Sequence, residues 1–143
     1  MARIKISLPE QFSFTTLIPI RITDLNYGSH VGNDTILSLL HEARAQYLQH
    51  YGYSELSMAG KGLIMSDVGI EYKKELFYGD QLQASVTAAE FSKMSFDVYY
   101  KLEKIVDGRP ILVVAAKTGM VCFDYTTRKI GTMPQEVIEK LQG

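Results

Sequence analysis

Cysteine occurs once, at Cys122, so no disulfide within the chain can form and nothing demands an oxidising compartment. Charge of one sign is also missing. Fifteen Lys and Arg against sixteen Asp and Glu leave a formal net charge of -1, which supplies no basic field for nucleic acid. No stretch approaches the ~20 apolar residues of a membrane span. The opening MARIKISLPEQFSF lacks the apolar run of about 7–15 residues that marks a signal peptide. Linkers rich in Pro, Gly and Ser, low-complexity tracts and repeats are absent too. The expectation is one domain over residues 1–143, located in the cytoplasm, with neither nucleic acid nor a membrane as partner. Its composition is that of a soluble globular chain, 46% hydrophobic and 22% charged.

Several chemistries are missing as well. His30, His41 and His50 show no paired ligand spacing and there is no Cys-x-x-Cys, so no metal and no cofactor are expected. There is no Gly-x-Ser-x-Gly elbow and no Gly-rich phosphate cradle, which removes serine-hydrolase and nucleotide-hydrolase readings.

Periodicity orders what is present. Phe12 to Ile22 is rich in β-formers and predicts a first strand, with Pro19 placing it at a sheet edge or a bulge. A helix follows from about Asp34 to Tyr51, with Asn33 or Asp34 as its cap. Ile36, Leu37, Leu39, Leu40, Ala43, Tyr47, Leu48 and Tyr51 share one side of it, and Ser38, Glu42, Gln46 and Gln49 the other. Arg44 lies on the apolar side, where it must pair with a carboxylate or reach past the core edge. Period-two patterns then predict strands at 64–72, 82–88 and 94–102. Ile111 to Phe123 is apolar on both faces at its start, as a central strand is. Asp107-Gly108 predicts a tight hairpin, and Pro134 to Leu141 a short C-terminal helix. One helix followed by hairpin-connected strands implies an α+β fold: an antiparallel sheet of five or six strands wrapped around one long helix.

Chemistry concentrates in Asp24-Leu-Asn-Tyr-Gly-Ser-His-Val-Gly-Asn33, immediately before that helix. A helix start exposes unpaired N–H groups at the positive end of its dipole, where an oxyanion can be stabilised. Gly28 and Gly32 allow sharp turns close to those amides. A carboxylate just upstream can attack a carbonyl or activate water. The same residue types also serve any loop that enters a helix, as Asx turns and caps. The pattern by itself leaves both readings open.

The run from Asp24 to Asn33, continued by Ile36-Leu37 and Glu42-Ala43-Arg44, resembles the signature of 4-hydroxybenzoyl-CoA-thioesterase-like hotdog proteins. In that family Asp-x-Asp or Asp-x-Asn leads to Gly-His-Val-x-Asn and then a helix carrying Glu-x-Arg. Ile70 to Asp80, ending in Gly79-Asp80, resembles the family's second landmark. The resemblance spans roughly Phe12 to Asp124 and implies a hotdog fold, with hydrolysis of an acyl-CoA thioester as the activity. Alternatives of the same kind are hydrolysis of an acyl-carrier-protein thioester, with Lys61, Lys73 and Lys74 in a docking patch, or acyl-CoA binding without catalysis.

By resemblance, Asp24 is the carboxylate that attacks the thioester or activates water, and the amides near Val31 and Gly32 bind the oxyanion. Asn26 and His30 shape the loop or contact the carbonyl or the water. Asn26 stands where a second Asp is commoner, and Ser29 where glycine is usual. Asn33 is a substrate-binding candidate at the helix start, and Lys73 and Lys74 are candidates for the phosphates of coenzyme A. Ser66 and Asp67 would line the site of a neighbouring subunit. Glu42 is read as a structural ion pair rather than a catalyst. The edge strand near Leu63 to Tyr72 would be unpaired in a lone protomer, so a homodimer or homotetramer with sites between subunits is expected.

Overall fold

The computed structural model describes residues 2–142. Its elements run β1 (Phe14–Pro19), a 3-10 turn (Ile22–Asp24), α1 (Asn33–His50), β2 (Gly62–Tyr72), β3 (Gln81–Ala89), β4 (Ser95–Val106), β5 (Arg109–Asp124), β6 (Lys129–Ile130) and α2 (Gln135–Gln142). The strands form one antiparallel sheet in the order β1-β3-β4-β5-β2, and β6 pairs with the end of β5. This is the hotdog arrangement. Among the described residues no helix is long and apolar enough to cross a membrane.

The sheet's inner face follows from the alternation. Phe96, Val98, Tyr100 and Leu102 of β4 are buried, and their partners across the ladder on β5 are Met120, Thr118, Ala116 and Val114. α1 lays Ile36, Leu39, Leu40, Ala43, Tyr47 and Leu48 on that face, all buried. Burying a side chain the size of leucine contributes about 1.5–3 kcal/mol, so this seam dominates the core. The Tyr47 hydroxyl accepts from the Ala88 N–H at 3.2 Å and donates to the Leu141 carbonyl at 3.5 Å, joining α1 to β3 and α2. Leu37 departs from the expected apolar face. It is 36% exposed, because it faces the flank beside Met65 rather than the sheet.

The β4–β5 hairpin turns on Asp107 (φ 51°) and Gly108 (φ 76°), the left-handed pair that a two-residue turn matched to sheet twist requires. β1 is shorter than its β-forming sequence. It ends at Pro19, which has no N–H to continue a ladder, and it pairs only with β3, so the proline stands at an edge. α1 begins one residue earlier than expected and is capped differently. Gly32 is the capping residue and no side chain caps the helix, which corrects the assignment to Asn33 or Asp34. β6 and the 3-10 turn were not visible in the pattern, being too short to carry a period.

Arg44 meets its expected carboxylate. Its guanidinium is buried beneath the loop after α1, where Nε donates to Glu55 and another nitrogen donates to the Tyr100 hydroxyl at 3.0 Å. Tyr100 in turn shares a 2.7 Å hydrogen bond with Thr118, and His41 lies 2.8 Å from the second Glu55 oxygen. Burial favours a raised Glu55 pKa, but the hydrogen bond and charge of Arg44, joined by His41, outweigh it and hold the carboxyl below its ordinary range. Burial pushes the Tyr100 phenol up, partly countered by Arg44.

The outer face is crossed by the chain before β1. The Ile6 N–H donates to Glu71 at 3.0 Å, Ile4 and Ile6 lie over Gly69, and the Lys101 ammonium sits 5.0 Å from the Phe12 ring centroid. On the same face Lys117 pairs with Asp67 at 3.0 Å and with Asp97 at 3.4 Å.

Glu55→Ala leaves the buried guanidinium uncompensated, so a loss of about 3 kcal/mol is expected in urea unfolding. Arg44→Met costs less, since it removes the buried charge and leaves unpaired only the partly exposed Glu55 carboxylate, which keeps His41 as a neighbour. Because the folded Glu55 pKa is depressed, its contribution is complete above the ordinary value of 4.5 and is lost as pH falls below it. Unfolding of Glu55→Ala should therefore show a weaker pH dependence on that acid side than the parent chain.

Candidate active site

The loop between β1 and α1 is a miniature hairpin held by its own backbone. Leu25 and Val31 form an isolated antiparallel bridge, the Asn26 N–H donates to the His30 carbonyl at 2.8 Å, and Ser29 closes the turn on Asn26 at 3.1 Å. The Asn26 side chain accepts the Gly28 N–H at 2.8 Å, so it serves as an Asx turn. Ser29 takes a left-handed φ of 66°, unusual for a residue with a side chain. Tyr27 stands fully exposed at the tip.

The bridge, carried one residue further, sets residue 24 beside residue 32. Asp24 is only 5% exposed. Its Oδ2 accepts the Arg21 N–H at 2.8 Å and its Oδ1 lies 3.5 Å from the Arg21 guanidinium. That guanidinium is mostly in solvent, so the backbone bond matters more for aiming the carboxylate. Gly32 enters the helix with φ -70° and ψ 154°, and a Cβ there would come 2.7 Å from Asp34 Oδ1. The glycine is needed for that close approach. Among the described residues the N–H groups of Gly32, Asn33 and Asp34 have no hydrogen-bond partner, as a helix start dictates.

Two recesses flank this start. One, of about 360 Å³, is lined by His30, Asn33, Tyr72, Lys73 and Lys74 among others. Here the Tyr72 hydroxyl donates to the Asn33 carbonyl at 3.1 Å, and Lys73 pairs with Glu71 at 2.7 Å. The other, of about 320 Å³, lies between β1 and the flank of α1 and is lined by Asp24, Ser38, Glu42 and Gln46 with Ile18 and Leu39. Thr16 donates to Gln46 Oε1 at 2.6 Å, and Gln46 Nε2 donates to Glu42 Oε2 at 2.8 Å.

The expected residues divide accordingly. Asp24 and Gly32 come together at the helix start; His30, Asn33, Lys73 and Lys74 come together in the first recess. Val31 requires correction as an oxyanion donor. Its N–H is already bonded to the Leu76 carbonyl at 2.8 Å, so the free donors begin at Gly32. His30 is turned toward the Val31 carbonyl, 3.2 Å from its Nδ1, with its ring edge-on to Phe77. It lines the recess away from Asp24. Ser66 and Asp67 sit at a bulge in β2, where Ser66 donates to the Gly119 carbonyl at 3.2 Å and Asp67 accepts the Gly119 N–H at 2.9 Å. They hold β2 against the bare backbone of β5. The hydrogen bond and charge of Lys117 hold the Asp67 carboxyl below its usual range. Ser38, Glu42 and Gln46, expected on the polar side of α1, line the Asp24 recess. Their spacing of four was the available signal, and a plain polar face has the same spacing.

Comparisons with known proteins agree on family and fold. Residues 20–141 match the family model described as Thioesterase-like superfamily. The chain is 33% identical over 103 residues, 71% of this chain and 76% of the relative, to an Aquifex aeolicus (strain VF5) protein named "Putative esterase". It is 29% identical over 105 residues, 71% of this chain and 73% of the relative, to a 1,4-dihydroxy-2-naphthoyl-CoA hydrolase of Microcystis aeruginosa. A 1,4-dihydroxy-2-naphthoyl-CoA thioesterase from Synechocystis superposes with a TM-score of 0.79 at 22% identity, over 90% of this chain and 95% of that one. A match over most of the chain, on this fold, makes the protein a member of the thioesterase-like superfamily.

Proposed function

We propose that the protein hydrolyses an acyl-CoA thioester to the free acid and coenzyme A, as a homodimer. What supports this reading is the buried Asp24 carboxylate at one end of the Leu25–Val31 bridge and the unpaired Gly32 amide at the other. A thioester carbonyl seated at the α1 start places its oxygen on the free amides and its carbon before Asp24, which attacks it or activates water. Coenzyme A runs along the recess lined by Lys73 and Lys74, where the Lys74 ammonium and the helix dipole both favour phosphate and Lys73 is already paired with Glu71. The names of the two 1,4-dihydroxy-2-naphthoyl-CoA enzymes among its relatives favour an aromatic acyl group as the first to try.

A carrier-protein substrate fits less well, because two of the lysines expected to form its docking patch are neutralised: Lys61 pairs with Asp124 at 3.2 Å and Lys73 with Glu71.

Dimerisation is favoured by the edge strand β2. Met65, Val68 and Tyr72 point to the inner side of the sheet, yet are 40%, 40% and 47% exposed, because α1 does not cover them and meets Tyr72 at the Asn33 carbonyl, at its very start. Leu37 borders this strip from α1. Pairing β2 with its copy satisfies the free backbone edge and brings a second protomer over these side chains.

Three outcomes are expected. Asp24→Asn should lower kcat on a responsive acyl-CoA by about 10²–10⁴-fold, read from release of coenzyme A thiol across a panel of aromatic and aliphatic thioesters. Gly32→Pro suits the observed φ but deletes the N–H, so kcat should fall by about 10²–10³-fold beyond that of Gly32→Ala. The alanine imposes the same Cβ against Asp34 while keeping the donor, so the difference isolates the amide. Val68→Lys should convert the dimer to monomer in sedimentation velocity.

A further inference from the structure

Glu42, Gln46 and Thr16 form a chain of hydrogen bonds on the wall of the Asp24 recess that the reading above leaves unused. The direction of the chain is fixed by its chemistry. The Thr16 hydroxyl donates to Gln46 Oε1, which leaves Nε2 as the end that donates to Glu42 Oε2. Glu42 thus has one oxygen held by a neutral donor, and its Oε1 has no partner among the described residues. No cation pairs with it among those residues either, against the ion pair expected for it. It lines the same recess as Asp24, on the turn of α1 that follows Ser38.

Two carboxylates in one recess with unlike surroundings divide naturally into two roles. Asp24 is buried, oriented by a backbone N–H and placed at the helix start, as a nucleophile needs to be. Glu42 is more exposed and keeps one oxygen without a partner among the described residues, on the wall of the recess it shares with Asp24.

We propose that Glu42 is the general base of deacylation, an inference that rests on the thioesterase reading. In the first step an Asp24 oxygen bonds to the thioester carbon and the C–S bond breaks, giving a mixed anhydride and coenzyme A thiolate, which takes a proton from solvent. In the second step Glu42 Oε1 accepts a proton from water as the water oxygen bonds to the same acyl carbon. The bond from that carbon to the Asp24 oxygen breaks, releasing the acid and restoring the Asp24 carboxylate. Glu42 then returns its proton to solvent. Thr16 and Gln46 are positioning residues, which hold the Glu42 carboxylate over the recess.

The test is Glu42→Gln, whose side-chain oxygen still accepts from Gln46. Release of coenzyme A thiol is followed by rapid mixing and at steady state with 1,4-dihydroxy-2-naphthoyl-CoA, benzoyl-CoA and octanoyl-CoA. The variant should show a stoichiometric burst, followed by a steady rate lowered by about 10²–10⁴-fold. Hydroxylamine should restore the steady rate above its own background reaction and yield the acyl hydroxamate, since that nucleophile needs no base. Thr16→Val, which cuts the relay without touching Glu42, should lower kcat and KM together and leave kcat/KM unchanged, as a slower deacylation alone requires. Wild-type turnover in Glu42→Gln, or a slow variant with neither burst nor hydroxylamine rescue, overturns the proposal. The two readings separate on Asp24→Asn. An inactive Asp24→Asn beside a fully active Glu42→Gln removes only the role of Glu42. An active Asp24→Asn, or a parent chain that releases no thiol from any of the three, removes both.

Discussion

The backbone hydrogen bond from the Val31 N–H to the Leu76 carbonyl fixes where α1 begins. It staples the end of the loop to the segment that leaves β2, so the residue after it is the first whose amide is free. The Leu25–Val31 bridge draws the start of the loop to the same point. These two constraints bring a carboxylate and a helix terminus together although seven residues lie between Asp24 and Gly32. Gly32 completes the arrangement, because a Cβ there would make the Asp34 carboxylate swing aside.

α1 is asked to satisfy three environments at once. Its apolar seam is closed by the sheet, and its Ser38-Glu42-Gln46 stripe faces a recess. Between them lies Arg44, an ion in the interior, whose desolvation is offset by Glu55 and by the phenol of Tyr100. That cluster holds the segment after α1 against the helix and reaches through Tyr100 to Thr118 on β5. It fixes the roll of the helix about its axis, and the roll decides which side chains meet Asp24.

The fold was readable because its signals are periodic. A half-buried strand repeats every two residues and a helix every three to four, so β2 to β5 and α1 fell close to their expected bounds. Pro19 and Asp107-Gly108 acted through backbone restrictions that need no tertiary knowledge. Asp24 and Gly32 were legible as residues at the entry to α1, and the roles proposed for them follow from that position. The site was not legible at Val31, since the carbonyl that takes its N–H belongs to Leu76, far along the chain. Glu42 misled for a related reason. A polar stripe that faces water and one that faces a recess are identical in sequence, and only the path of β1 past α1 tells them apart. Ser66 and Asp67 were placed on the right strand, and the bulge that joins both to Gly119 carries no period to announce it.

The chain ahead of β1 has a consequence for higher assembly. With Ile4 and Ile6 seated over Gly69 and Phe12 beneath Lys101, residues 4–12 act as a strap across the convex side of the sheet. Sheets stacked back to back need bare, flat, apolar surfaces about 10 Å apart. Here that surface is already occupied by the protein's own leading segment and by the Asp67–Lys117–Asp97 ion cluster. Two dimers meeting through their convex sides would have to peel the strap away and strip water from those charges, which directs any tetramer toward its helical side.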